Sequence, residues 1–318
     1  HGQGAERIMN AEAEFLQGRF VDAQICLENT YVHIAENGQE NMVLCCDFLA
    51  LRLALCTELS LSYTIAERRK ELLRRHNITW VTLFDSACAY YYALSGQTTQ
   101  IPVLFREHQL STVNFLAPGK PMMELIENQV YLAQQEYAKV IGRSEGILAV
   151  CETMHYALVA LHVQIQTAAA YECLGKRTEA RNCLKRAIQI ALPDQFYLPF
   201  VENYEYLEEL LQREIQTADA AEHVFLTKVT ELGKNCQKRY GALRKTHMFP
   251  KIAAGLTEQE QRIIELLAER LSNREIAEKL FLSEGTIKQY INRIYAKLQI
   301  SGDVRTKRRQ LIELLTAE

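Results

Sequence analysis

One side of a predicted helix near the C-terminus carries three polar side chains suited to hydrogen bonding with nucleic-acid bases. At helical spacing, Lys288, Gln289 and Asn292 fall on the same side. A lysine can reach a guanine edge or a phosphate, and the amides match N6 and N7 of adenine. Gly285 and Ala296 lie beside them and leave the backbone room to approach a duplex. The spacing predicts a face that reads the DNA major groove.

Six further side chains are predicted to contact DNA around that face. Hydroxyls and backbone N–H groups at a helix start can hold a phosphate. The alternative for Lys288, as for Arg293, is an ordinary solvated side chain. The predicted contacts are Ser283 and Thr286 at the start of the same helix, Asn273 and Arg274 at the start of the preceding helix, and Arg293 and Lys297 farther along.

Three consecutive helices position these residues. In two of them a Ser or Thr precedes a Glu by three positions, which is the capping-box pattern of a helix start; the pairs are Thr257 with Glu260 and Ser272 with Glu275. The third helix opens at Ser283, about four residues after the second ends. This short connection predicts a helix-turn-helix whose third helix enters the major groove. The apolar stripes are Ile263, Leu266 and Leu267; Ile276 and Leu280; and Ile287, Ile291, Ile294 and Leu298.

The order of residues from Leu256 to Leu315 closely resembles the LuxR-type helix-turn-helix family. The matching segments are Leu-Thr-x-x-Glu at 256–260, Leu-Ser-Asn-x-Glu-Ile-Ala at 271–277, Ser-Glu-Gly-Thr-Ile-Lys at 283–288 and Ile-Tyr-x-Lys-Leu at 294–298. The resemblance implies a four-helix domain whose last helix, about 306–316, supports dimerisation on paired half-sites. Its apolar face would be Leu311, Ile312, Leu314 and Leu315. Residues 300–309 depart from the family pattern, because they form a longer and more basic connection.

The charge of the chain is divided unequally along its length. The formal net charge of 318 residues is −3. Residues 1–227 carry 18 Lys and Arg against 28 Asp and Glu, a net of −10, whereas residues 228–318 carry 18 against 11, a net of +7. The basic excess lies in the segment predicted to face phosphates, and the acidic body would repel DNA.

Composition and motifs exclude several other classes. No apolar run approaches the roughly 20 residues that cross a bilayer, and nine cysteines without a Cys-x-x-Cys pair favour reduced, buried thiols in a cytoplasmic protein. No hydrolase or metalloprotease motif is present, so an enzyme is not expected. Cys151, His155 and His162 could bind zinc only weakly without a supporting carboxylate, so we predict no metal site and no cofactor.

The body of the chain contains an internal repeat. An apolar helix ends at Gly18 and again at Gly175, and each is followed by a polar turn and a small residue, Ala23 or Ala180. Weaker copies give turns near positions 18, 61, 96, 135 and 175, with spacings of 43, 35, 39 and 40. A period near 40 predicts two-helix hairpins that stack into a solenoid with a concave surface. The copy at 175 resembles the tetratricopeptide pattern, with Ala187 at a second small position and Pro193 at its exit.

We therefore expect an all-α protein with three parts. Residues 1–215 would form the tetratricopeptide-like solenoid, closed by an amphipathic helix over 200–212. Residues 216–250 would form a connecting helix, about 219–241, and a basic linker that starts near Arg244. Residues 251–318 would form the LuxR-type domain. The alternative for the body is a helical domain without repeats.

A second candidate site lies in the repeats. Tyr90 and Tyr92 diverge on one predicted helix, so at least one of them should leave the core, and Asp85 lies seven positions before Tyr92 on the same face. Aromatic rings beside a carboxylate on a concave surface would suit a sugar or another small polar ligand. Packing between repeats is the alternative and is favoured.

The body together with the tail resembles the C-terminal part of the large ATP-dependent LuxR-type regulators, of which the maltotriose-responsive activators are an example. The resemblance rests on Ile-x-x-Ala-Leu-Pro-Asp at 188–194, followed by Pro-Phe-Val-Glu at 199–202. It implies an NTP-binding switch domain upstream of the helical sensor. No Gly-x-x-x-x-Gly-Lys-Ser/Thr loop occurs in this sequence, so ATP binding is not expected in these residues.

The sequence thus predicts a bacterial transcription regulator in which the repeats sense a small molecule or a partner protein and control the DNA-binding tail. Its expected partners are double-stranded DNA, RNA polymerase, an effector and a second copy of the chain on DNA. The alternative is a repeat scaffold whose tail docks on RNA polymerase or on an upstream NTP-binding switch domain.

Overall fold

The protein is described by a computed structural model, in which the secondary structure of the described residues is helical throughout. The described residues are 4–39, 42–57, 61, 64–113, 117–253, 256–268, 271–298, 300, 302–303 and 306–311. The chain divides into two compact units, residues 1–240 and 241–318. Within the described ranges, no helix is both long and apolar enough to span a bilayer.

The first unit begins with five pairs of helices. They are α1 (Ala5–Leu16) and α2 (Phe20–Asn37); α3 (Val43–Cys56) and α4 (Ile65–Arg74); α5 (Ile78–Leu94) and the short α6 (Val103–Arg106); α7 (Lys120–Ala133) and α8 (Tyr137–Met154); and α9 (Ala157–Cys173) and α10 (Arg177–Ala191). Three more helices follow, α11 (Leu198–Glu202), α12 (Tyr204–Ile215) and α13 (Ala220–Ala253).

A residue in the left-handed region follows the first helix of four of these pairs, at four of the five turn positions predicted from the repeat. These residues are Gly18, Gly96, Gln135 and Gly175, with φ values of 74°, 71°, 63° and 71°. The fifth predicted turn, at position 61, lies between α3 and α4. The small residues after two of the turns, Ala23 and Ala180, are fully buried, as close crossing of paired helices requires.

The odd-numbered helices form a continuous row. α1 packs against α3, α3 against α5, α5 against α7, and α7 against α9. Of the even-numbered helices, α2 packs on α1 and α3, α4 on α5, α8 on α7 and α9, and α10 on α9. The row is a large part of the core of the unit, since its helices supply more than half of the buried apolar side chains.

The segment predicted as one helix over 200–212 is two helices instead. α11 ends at Glu202, Asn203 leaves helical geometry with φ −108° and ψ 15°, and α12 starts at Tyr204. The Asn203 side chain is buried, and its Nδ2 donates to the Pro199 backbone carbonyl at 3.1 Å. A buried side chain that bonds to the preceding turn competes with continuous helix. The prediction of a single helix was therefore wrong at this residue.

A buried charge cluster joins the row to α11. The Arg52 guanidinium of α3 donates to Glu202 of α11 at 2.7 Å and to Glu12 of α1 at 2.5 Å. The rings of Phe15, Phe48 and Tyr90 surround it at 4.7–5.9 Å from the guanidinium carbon. Because the side chains of Arg52 and Glu202 are only 3% and 1% exposed, the pair is desolvated and each charge depends on the other.

The first part of α13 is buried in the first unit. It contacts α11 and α3: Phe225 packs edge-on against Phe200 of α11, and Arg239 Nε donates to the Ala54 carbonyl of α3 at 3.2 Å. Gly233 lies directly against the Tyr204 ring of α12. The segment predicted as a linker from Arg244 is helical as far as Ala253. The fully or nearly buried residues of α13 are Phe225, Leu226, Val229, Cys236 and Tyr240.

The second unit contains α14 (Glu258–Ala268), α15 (Asn273–Leu280) and α16 (Glu284–Lys297), and residues 306–311 are also helical. Of the predicted dimerisation face, Leu311 is buried in the core of this unit, and Ile312, Leu314 and Leu315 lie outside the described residues. The core contains Ile263, Ile264, Leu267, Ile276, Ile287, Ile291 and Ile294.

Candidate nucleic-acid interface

The turn between α15 and α16 is built from two helix caps and one left-handed residue. Ser272 and Glu275 form the predicted capping box: the Ser272 N–H donates to Glu275 Oε2 at 2.7 Å, and Ser272 Oγ accepts from the Glu275 N–H at 3.3 Å. The side-chain and backbone hydrogen bonds from Ser272 lower the pKa of Glu275. Phe281 ends α15 at φ 53°, and Ser283 caps α16 by accepting from the Thr286 N–H at 3.1 Å. Local sequence alone thus fixes the turn.

The inner side of α16 is apolar and packs on the other helices of the unit. Ile287, Ile291 and Ile294 are at most 5% exposed, as their spacing predicts, and α16 contacts both α14 and α15. Tyr295 is buried beside them, and Leu298 is half-buried at the end of the helix. This packing sets the rotation of α16 and therefore decides which side chains face outward.

The outer side of α16 presents the predicted reading residues to solvent. Gln289 and Asn292 are exposed, and Lys288 is exposed while its Nζ lies 3.0 Å from Glu284 Oε1 one turn earlier. Gly285 and Ala296 are exposed on the same helix. An exposed ion pair of this kind contributes little to stability, so the lysine is free to exchange Glu284 for another negatively charged or polar partner. The structure thus places Lys288, Gln289 and Asn292 together on the exposed side of α16.

Two of the side chains predicted to contact DNA form hydrogen bonds within the unit. Lys297 Nζ donates to Glu260 Oε2 at 2.7 Å, and that carboxylate is 3% exposed. Asn273 Oδ1 accepts from Arg308 Nη1 at 2.8 Å, and Arg308 Nη2 also donates to the Leu271 carbonyl. These bonds hold the helices together, so both side chains have a structural role that the local sequence did not indicate.

The remaining predicted contacts lie at the edges of the face. Arg274 is exposed and its Nε donates to Glu278 Oε1 at 3.1 Å. Arg293 is exposed, with its guanidinium carbon 5.6 Å from the centroid of the Tyr290 ring. Ser283 is exposed and Thr286 half-buried, and their hydroxyls lie 2.8 Å apart at the start of α16.

Comparison with known proteins assigns this unit to a family. Residues 254–308 match the family described as bacterial regulatory proteins, luxR family. The C-terminal unit is a luxR-family helix-turn-helix domain. The match covers the luxR-family domain only and leaves the helices of the first unit unassigned.

Three transcription regulators are each similar to a part of this chain. The DNA-binding transcriptional activator DevR/DosR of Mycobacterium tuberculosis is 49% identical over 45 residues, 14% of this chain and 21% of that protein. The uncharacterized transcriptional regulatory protein YxjL of Bacillus subtilis is 34% identical over 90 residues, 28% of this chain and 39% of that protein. The transcriptional regulatory protein LnrK of Bacillus subtilis is 41% identical over 51 residues, 16% and 23% of the two chains.

The chain thus spans between about a fifth and two fifths of the length of the relatives it matches. No solved structure matches it. The similarity to these relatives covers at most 28% of this chain, and it carries no statement about what the hairpin helices of the first unit do.

The ligand site predicted around Tyr90, Tyr92 and Asp85 is not assembled as one open surface. Tyr90 is buried, and its hydroxyl donates to Glu202 Oε2 at 2.9 Å. Asp85 forms a bidentate pair with Arg69, at 2.7 and 2.9 Å. Tyr92 is half-buried, and its ring meets Tyr91 edge-on at 5.3 Å. Each of the three residues has a packing or pairing role of its own.

Tyr90 instead borders a small cavity beside Arg52 and His162. Its volume is about 50 Å³, which is enough for a few water molecules. Burial and the positive charge of Arg52 lower the pKa of His162 to about 3, and burial together with the Glu202 carboxylate raises the pKa of Tyr90. His162 is therefore neutral at physiological pH. The sequence showed no sign of this cluster, because its members come from helices far apart in the chain.

Proposed function

We propose that the chain is a DNA-binding transcription regulator in which the hairpin helices sense a small molecule or a partner protein and control the luxR-family domain. The observation that carries the proposal is the outer face of α16, where Lys288, Gln289 and Asn292 are exposed together on a helix held by its apolar inner side. These are the side-chain types that read base edges in the major groove. The basic excess of residues 228–318 provides attraction to phosphates.

The finer parts of the function have separate support. The row of odd-numbered helices and the left-handed turns support tetratricopeptide-like repeats, whose usual role is binding. The resemblance of residues 188–202 to the large ATP-dependent regulators supports an origin in that group, with nucleotide binding outside these residues. RNA polymerase and a second copy of the chain on paired half-sites are the partners that such a regulator requires, in a bacterial cytoplasm.

Binding to duplex DNA tests the proposal directly. The wild-type chain selects its preferred duplex from a random-sequence pool, and a mobility shift then measures affinity for that duplex. Lys288→Ala combined with Asn292→Ala should weaken binding at least about 30-fold, because each good base contact contributes about 1–3 kcal/mol. Circular dichroism checks that the helices remain folded.

A matched control separates base reading from a general loss of charge. Lys185 and Asn182 are exposed on α10 in the first unit, so Lys185→Ala combined with Asn182→Ala removes the same side-chain types elsewhere. This control should bind the selected duplex as the wild type does. Equal affinity of the α16 double variant and the wild type would overturn the proposal.

The competing function is a repeat scaffold whose tail docks on RNA polymerase or on an upstream NTP-binding switch domain. Salt dependence distinguishes the two. Binding through several phosphates releases counterions, so the logarithm of the binding constant falls steeply as the logarithm of the salt concentration rises. A docking module that contacts only protein would show no affinity for any duplex at low salt, and that result would favour the scaffold.

A further inference from the structure

A cavity of about 580 Å³ opens in the first unit between the segment before α7 and helices α7 and α8. Its volume falls within the range of about 300–1,000 Å³ that small-molecule sites occupy. It lies apart from Tyr90 and Arg52. Its polar walls come from Lys120, Glu124, Glu127 and Arg143, and its apolar wall includes Val113 and Met123.

The inner polar wall is a fixed arrangement of buried groups. Arg143 Nη2 lies 2.5 Å from Glu127 Oε2, and the Glu127 side chain is 7% exposed. The His108 ring stacks on the Tyr131 ring at 3.8 Å with an interplanar angle of 7°. The Arg143 guanidinium carbon lies 5.2 Å from the Tyr131 centroid. These contacts hold the wall in one geometry, as a binding site requires.

Gln134 sets the tautomer of His108. Its Nε2 donates to the Arg106 carbonyl at 3.0 Å, so its Oε1 accepts a hydrogen bond from the N–H of His108 Nε2 at 2.7 Å. His108 Nδ1 is then an acceptor in the neutral ring. It faces Glu127 Oε1 at 3.6 Å, which is another acceptor.

Several polar groups of this wall lack the partners that buried groups normally have. Arg143 Nη1 and His108 Nδ1 are buried with no hydrogen-bond partner in the described part of the chain. Nearer the opening, Lys120 Nζ and Glu124 Oε1 are 4.0 Å apart, too far for a hydrogen bond. At its opening the cavity therefore offers an accessible donor on Lys120 and an accessible acceptor on Glu124, whereas Arg143 Nη1 and His108 Nδ1 are enclosed by the wall.

This pattern defines the chemistry of an occupant. A carboxylate would pair with Lys120, an ammonium group would pair with Glu124, and an apolar body would cover Leu110, Val113 and Met123. A purely anionic ligand would leave the two glutamates facing it, and a purely apolar one would bury the charged groups unpaired.

We propose that this cavity binds a small zwitterion with an apolar side chain, the class of free amino acids and dipeptides. The inference rests on the proposed function, because it supplies the small molecule that the hairpin helices would sense. It is tested without DNA, so its failure is separate from failure of DNA binding.

The experiment measures binding of a defined panel to the full chain by isothermal titration calorimetry. The panel contains the twenty free amino acids and the dipeptides Leu-Leu, Val-Val and Met-Met. For any member that binds, the N-acetyl derivative removes the ammonium charge and the amide derivative removes the carboxylate. Both derivatives should bind the wild type at least about tenfold more weakly, because each loses a charge-assisted hydrogen bond.

Variants then locate the site. Glu124→Gln should reduce affinity for the amino acid while leaving affinity for its N-acetyl derivative unchanged. Lys120→Gln and Arg143→Gln should reduce affinity for the amino acid. They should change affinity for its amide derivative little, because that derivative lacks the carboxylate. Since Arg143→Gln leaves buried Glu127 unpaired and can impair folding, the two variants at the opening keep the test decisive. Arg186→Gln, at an exposed position of α10, is the matched control and should bind as the wild type does.

Two outcomes would overturn the inference. One is a wild-type chain that binds no member of the panel at millimolar concentration. The other is binding that responds equally to Arg186→Gln and to the cavity variants, which would place the ligand elsewhere. A loss confined to the cavity variants, with the matching preference for derivatives, would establish the site.

Discussion

Lys297 and Glu260 join α16 to the start of α14 through a short hydrogen bond, 2.7 Å from Nζ to Oε2. The same carboxylate oxygen accepts from the Thr257 backbone N–H at 2.7 Å and so caps α14. Burial alone would raise the pKa of Glu260, but the bonds from Lys297 and Thr257 outweigh it and hold the pKa below its ordinary value. One buried carboxylate therefore joins α16 to the start of α14.

Lys297→Met should destabilise the luxR-family domain by about 1–3 kcal/mol, because it leaves a buried carboxylate without its charged partner. Hydrogen exchange read by mass spectrometry on peptides from α14 and α16 measures the loss directly. Arg274→Met is the matched control, since its pair with Glu278 is 81% and 66% exposed and should contribute less than about 1 kcal/mol. Equal protection in the two variants would contradict a structural role for Lys297.

Arg52→Met should destabilise the first unit by about 3–5 kcal/mol, since Glu202 would remain buried and uncompensated. Urea unfolding followed by the fluorescence of Trp80, the single tryptophan, reports on this unit. Combining Arg52→Met with Glu202→Gln should recover part of the loss, because the second change removes the stranded charge. Additive losses in the double variant would show that the two residues act independently.

His162 should make the first unit less stable in mild acid. Its pKa is lowered to about 3 in the folded protein, so between about pH 6.5 and 3 the unfolded chain binds a proton that the folded protein does not. The stability from this group is complete above about pH 6.5 and is lost as the pH falls. Between pH 7 and pH 5 the loss should be about 2 kcal/mol.

Urea unfolding at the two pH values checks this effect. His162→Gln should flatten the pH dependence by that amount, even if it lowers stability at pH 7. His223→Gln, at an exposed position of α13, should leave the pH dependence as in the wild type. An unchanged slope in His162→Gln would refute the account.

The sequence predicts those features of the architecture whose deciding contacts lie between residues that are close together in the chain. The starts of α15 and α16 follow from Ser272, Glu275 and Ser283, whose cap partners lie within three residues. The inward face of α16 follows from isoleucines at helical spacing. Left-handed turns at Gly18 and Gly175 follow from a residue type that adopts positive φ without strain. In each case the deciding partner is a near neighbour in the chain.

Roles set by distant partners were not predictable in the same way. Lys297 and Asn273 were expected to contact phosphates, yet their partners Glu260 and Arg308 lie 37 and 35 residues away. Tyr90 bonds to Glu202, 112 residues away. Helical periodicity shows on which face of a helix a side chain lies, but it does not show which residue of another helix contacts that side chain. The burial of α13 among the hairpin helices was not predicted for the same reason, because its partners are also distant in the chain.

Gly233→Ala provides a direct test of how closely α13 is packed. A Cβ at this position would lie 2.3 Å from Cδ2 of the buried Tyr204 ring, so either the ring or the helix must move. Overpacking of this kind typically costs about 1–3 kcal/mol and exceeds the helix propensity gained from alanine. Trp80-monitored urea unfolding should therefore show a loss of stability. Gly241→Ala, in the same helix with nothing within 4 Å of its Cβ, should be neutral or stabilising by up to about 1 kcal/mol. If both substitutions stabilise the chain equally, α13 is not packed against Tyr204 in solution.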